Sequence, residues 1–78
     1  MYFVYIIKCS NAQYYTGLTR DIRVRMLKHK TGDVKFTKPF LPIQLVFCSC
    51  FSNQHKAAMF EKYLKTHSGK AFRNKHLV

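Results

Sequence analysis

The 78-residue sequence has no tryptophan and only three acidic residues, Asp21, Asp33 and Glu61, against fourteen lysines and arginines. This scarcity of negative charge leaves a formal net charge of +11, whose self-repulsion opposes compaction and calls for an anionic partner. Nucleic acid is the leading polyanion, because it both relieves the repulsion and gains from it in association. An acidic membrane is the second. However, the basic residues are spread from Lys8 to Lys75, and the chain lacks both an amphipathic basic helix and a long apolar run. Cysteine is also sparse. Cys9, Cys48 and Cys50 are odd in number and lack CxxC spacing, which argues against a disulfide framework and for a reducing compartment. His29 and His55 add potential zinc ligands, but no ligand pair has zinc-finger spacing. The opening MYFVYIIKCS has no basic leader and no small-residue cleavage site, so it reads as a strand rather than a signal peptide. The expected location is the cytoplasm.

Apolar residues make up 47% of the chain and aromatics 15%, enough for a folded core in a sequence this short. There is no internal repeat, linker or low-complexity stretch, so residues 1–78 are expected to form one domain. Residues 2–8 are β-branched and aromatic, and Ser10-Asn11-Ala12-Gln13 forms a turn before Tyr14 to Thr16, which predicts a β-hairpin. Thr19 or Asp21 caps a helix over about residues 21–31, with Ile22, Met26 and Leu27 as its apolar stripe and Gly32 as its stop. Residues 33–42 carry both prolines and no helical period, and predict a basic loop able to lie along a phosphate backbone. Residues 43–51 predict a third strand, central or well covered. Ser52 or Asn53 then caps a second helix that turns Ala57, Phe60 and Leu64 inward. Ser68-Gly69 is read as its end, before a short basic tail. The fold class is α/β (α+β): a small three-stranded antiparallel sheet flanked by helices, in the order β-β-α-β-α plus a C-terminal segment.

Few residues in this pattern are able to carry chemistry. Arg25 and His29, four apart on the first helix, are offset by only about 40° and emerge on one face. A solvated basic face explains the pair equally well. Glu61 is the one acid in the second half of the chain. It reads either as an exposed i,i+4 partner of Lys65 or as a metal ligand. A Mg²⁺ ion takes one or two carboxylates and fills its shell with waters and substrate phosphate, so one glutamate suffices. A two-metal site needs a carboxylate cluster that this chain does not have. Tyr5 in the first strand and Tyr14 and Tyr15 in the second place phenols where they meet across a sheet face, as packing or as proton acceptors. Gly17 behind them permits close approach of a backbone or ligand.

In sequence order these residues resemble the GIY-YIG nuclease superfamily, in particular its short stand-alone bacterial members. Phe3-Val4-Tyr5 and Tyr15-Thr16-Gly17 stand in place of the two tripeptides. The resemblance continues through Thr19-Arg20-Asp21-Ile22, Arg25, His29, Thr37, Pro42, Leu45-Val46-Phe47, Ala57 and Glu61-Lys62-Tyr63-Leu64-Lys65, and on to Gly69, Phe72 and Leu77. Phe3 and Thr16 depart from the tripeptide consensus, and the lysine some members carry after the second tripeptide is missing, with Lys8 the nearest substitute. The resemblance implies hydrolysis of DNA phosphodiesters with one divalent ion, Mg²⁺ or Mn²⁺, in DNA repair or recombination. By analogy, Glu61 binds the metal and Arg25 stabilises charge on the scissile phosphate. Tyr15 or Tyr5 activates or orients the attacking water, and His29 accepts a proton or contacts phosphate. The rival reading keeps the same scaffold as a non-catalytic DNA- or RNA-binding module. Oligomeric state and substrate structure leave no legible pattern.

Overall fold

Alternation along the first strand decides where the rest of the chain packs. In the computed structural model, which describes all 78 residues, β1 (Tyr2–Lys8) is the middle strand of three. β2 (Tyr14–Thr19) and β3 (Gln44–Phe51) pair with it on either side, both antiparallel, in the order β2-β1-β3. Successive side chains of a strand point to opposite faces. Val4 and Ile6 therefore enter one layer and Tyr5 and Ile7 the other, and all four are fully buried. A strand apolar on both faces needs cover on both, and helices supply it.

The Val4/Ile6 face packs against α2 (Gln54–Leu64), where Ala57 and Leu64 complete a buried cluster. Phe47, Phe51 and Phe60 close its rim, with Leu77 from the chain end. On the other face Tyr5 meets α1 (Ile22–Lys30). The caps are the ones the sequence offers. Asp21 Oδ1 accepts from Val24 N at 3.1 Å, and Asn53 Oδ1 accepts from Lys56 N at 3.0 Å.

Three local expectations change. β3 is an edge strand rather than a central one: Gln44, Cys48 and Cys50 are exposed, whereas β1 is apolar on both faces and takes the middle. Leu27, assigned to the apolar stripe of the first helix, is 61% exposed, and the residue that α1 buries is His29. The C-terminal segment is a third helix, α3 (His67–His76). Ser68-Gly69 does not stop α2, which ends at Leu64, but lies in the first turn of α3, capped by Thr66 Oγ1 accepting from Gly69 N at 3.0 Å. A Cβ on Gly69 would strike the carbonyl of Tyr63, so close packing at the α2–α3 corner requires the glycine there, not helix termination.

Candidate active site

The hairpin, α1 and the 31–43 segment bring a polar cluster together over β1 and β2. Tyr5 pairs with Gly17 across the sheet, and its ring lies over that glycine, in the space where a Cβ would stand. The close approach that Gly17 permits is thus made by a side chain of the protein itself. Tyr15 stands one diagonal step away on the same face, its ring centroid 6.3 Å from that of Tyr5 and 5.3 Å from that of His29. Tyr14 points to the opposite face, where the Arg73 guanidinium lies 4.7 Å from its ring centroid. Of the four hairpin tyrosines, Tyr2, Tyr5, Tyr14 and Tyr15, only Tyr5 and Tyr15 belong to the cluster.

Arg25 and His29 project from one side of α1 onto Tyr5, as their spacing predicts. Arg25 Nε donates to Tyr5 Oη at 3.0 Å. Tyr5 Oη lies 2.9 Å from His29 Nε2, and His29 Nδ1 lies 2.8 Å from Thr37 Oγ1. One set of directions satisfies the whole run. Thr37 donates to the carbonyl of Val34 at 3.4 Å and so accepts from Nδ1–H. His29 Nε2 then carries a lone pair, which accepts the Tyr5 hydroxyl proton. No buried side-chain polar atom lacks a partner.

Tyr5, His29 and Thr37 are fully buried, and electrostatics follow from that. Burial pushes the Tyr5 hydroxyl above the ordinary phenol value of 10.0, partly offset by its bond to Arg25. His29 is held below its ordinary 6.5, first by burial and second by the positive charge of Arg25. The guanidinium is held charged chiefly by its bond to Tyr5, with Tyr15 also contributing. The resting cluster is therefore a neutral phenol, a neutral imidazole and a fixed cation.

Glu61 stands outside this run of hydrogen bonds. It comes from α2, on the other side of the sheet, and its carboxylate is bonded to Lys65 Nζ at 3.1 Å. Its charge nevertheless reaches Tyr5, where it adds to the upward shift of the hydroxyl. Lys65, its partner, lines a cavity together with Tyr15, whereas Glu61 itself is not among the lining residues. Thr37 is the neighbour that sequence reasoning leaves without a role. A lone threonine in a proline-containing loop gives no local sign that it orients a histidine eight residues earlier.

Fold and site together define a small α+β domain with a buried Tyr–His–Thr run, joined by the half-buried Arg25, on one sheet face. The sequence matches the GIY-YIG catalytic domain over residues 1–75, and the chain belongs to this family of endonucleases. It is 38% identical over 68 residues to a UPF0213 protein of Staphylococcus saprophyticus, covering 86% of this chain and 83% of that one. UPF0213 proteins of Staphylococcus aureus are 37% identical over the same coverage. The solution NMR structure of a UPF0213 protein from Bacillus halodurans aligns with a TM-score of 0.61 at 30% identity, over 96% of this chain and 84% of that one. No helix is long and apolar enough to cross a membrane.

Proposed function

We propose that the chain is a metal-dependent endonuclease that hydrolyses DNA phosphodiester bonds, acting in DNA repair or recombination. The observation that carries this reading is the hydrogen-bonded run Arg25–Tyr5–His29–Thr37, packed against Tyr15 at the mouth of a cation-lined cavity. Phosphoryl transfer needs positioning and charge stabilisation more than covalent chemistry, and these residues supply both. Arg25, fixed by Tyr5, presents its remaining N–H groups to the scissile phosphate. Tyr5 is sealed from solvent, whereas Tyr15 is only partly buried and lines the cavity, which supports assigning the attacking water to Tyr15. His29, neutral and sealed from solvent, holds its Nε2 lone pair on the Tyr5 hydroxyl, so its assigned part is to orient Tyr5 and, through it, Arg25.

The donor set fits a hard divalent cation. No group of three or more His, Cys, Asp or Glu side chains gathers anywhere in the chain, and the carboxylate assigned to the metal is Glu61, partly exposed and paired with Lys65. A single carboxylate ligand suits Mg²⁺ or Mn²⁺, with waters and substrate phosphate as the other ligands, and Glu61 would be the residue that holds the ion. When bound, the ion supplies charge neutralisation at the phosphate.

The test is cleavage of labelled duplex, nicked, flapped and four-way-junction DNA in Mg²⁺ or in EDTA. Wild type is expected to cut only with Mg²⁺, Glu61→Ala to be inactive, and Arg25→Ala to lose roughly 10²–10³-fold in rate. Full cleavage by either variant sinks the assigned site. Binding without cleavage on every substrate moves the assignment to a non-catalytic DNA- or RNA-binding module.

A further inference from the structure

A second feature adjoins the relay and shares Tyr15 with the site. Beyond the β2 edge lies an open cavity of about 310 Å³, walled by Tyr15 and Phe36 on one side and by Lys65, Lys70 and Arg73 on the other. It continues past Tyr14 into a second hollow lined by Lys70, Arg73 and the hairpin turn. None of the side chains lining either hollow is acidic. Phe36 is 66% exposed yet not free: its ring rests against Tyr15, with centroids 5.3 Å apart. Its own loop is tied to the hairpin turn by the bond from Ser10 N to the carbonyl of Phe40 at 2.9 Å. A large apolar ring held in the open, on a tethered segment, at the rim of a cationic cavity is suited to a flat aromatic ligand that carries negative charge.

We propose that this cavity receives one unpaired nucleotide of the substrate strand. Its base stacks on Phe36, and the phosphate that follows lies between Lys70 and Arg73. The inference rests on the nuclease reading for its substrate and goes beyond it in naming a structural class: DNA with an extruded or unpaired base next to the cut. Charge complementarity selects the occupant, because an apolar peptide would strand Lys70 and Arg73, which have no acidic partner, and a paired base cannot enter a space of this size. Stacking on an aromatic side chain accepts every base, so the site reads unpairing and not sequence. Because Tyr15 lines the cavity and packs against the relay, a base seated on Phe36 sets the register of the neighbouring phosphodiester against Arg25.

The experiment measures binding in EDTA, by fluorescence anisotropy, to three duplexes of equal length: fully paired, with a one-nucleotide bulge, and with an abasic bulge at the same place. Wild type is expected to bind the base-bearing bulge about tenfold more tightly than the abasic one. Phe36→Ala should abolish that difference and Phe36→Trp should keep it, while Lys70→Ala combined with Arg73→Ala weakens both bulged ligands. Equal wild-type affinity for the two bulges overturns the inference, as does a base preference that survives in Phe36→Ala. Because no metal is present, a protein that never cleaves still reports on the cavity. Conversely, a protein that cleaves all three duplexes equally in Mg²⁺ without the binding preference leaves the nuclease reading standing and removes this one.

Discussion

At the scale of the residue, the least conspicuous member of the site is Thr37, whose hydroxyl fixes which nitrogen of His29 carries the proton. Thr37→Val keeps the volume but leaves a buried Nδ1–H without a partner, which is expected to cost about 1–3 kcal/mol in urea denaturation. Thr37→Ser should restore most of it. If Val and Ser behave alike, the hydroxyl does not hold the imidazole. The buried His29 also ties stability to pH. Its pKa is lower folded than unfolded, so between the two values the unfolded chain binds more protons, and stability falls as pH drops below about 6.5. Tyr5, shifted upward, acts at the other end, and stability falls again as pH rises above 10. Thermal melts from about pH 5 to 8 should show the acid limb in wild type and a flatter profile in His29→Gln. An unchanged slope would place the acid sensitivity elsewhere. Sequence alone pairs Arg25 with His29 by helical spacing, yet gives Tyr5 and Tyr15 equal standing. Burial separates the two phenols, and burial is a property of the packed sheet.

At the scale of the element, α1 is held differently from an ordinary amphipathic helix. Its hydrophobic residues Val24 and Leu27 are exposed, and its deepest contact is the hydrogen-bonded His29. Helix propensity and the Asp21 cap make the element legible, but its buried face is not, because polar anchoring leaves no apolar period to find. The last helix is hidden in the sequence for a related reason. A glycine after a serine resembles a helix stop, and only the corner between α2 and α3, where the Tyr63 carbonyl occupies the place of a Cβ, reveals why it is there. Gly69→Ala is therefore expected to destabilise the protein by about 1–3 kcal/mol, well beyond any gain in helix propensity. Stability equal to or above wild type in a denaturant titration would show that the corner is loose. Gly17→Ala acts on the other face, driving Tyr5 away from Arg25 and His29.

At the scale of the whole molecule, a net charge of +11 sits on a body measuring 29 × 26 × 17 Å. Binding to DNA should depend steeply on salt. A footprint of about four phosphates predicts a loss of roughly 10²-fold in affinity between about 50 and 200 mM salt. A nearly flat salt dependence would contradict backbone-led binding. This charge, the three strands, and the first two helices with their caps were determined by the sequence itself, because composition, period-two alternation and capping are local properties of the chain; Tyr5, Tyr15, Arg25, His29 and Glu61 were legible there as candidates. Strand order, the seal over Tyr5, the direction of the relay through Thr37 and the cavity beside Phe36 were decided only by tertiary structure. Each depends on residues far apart in the chain meeting across the sheet, and no local pattern in a single sequence records which distant side chain will fill the space a glycine leaves.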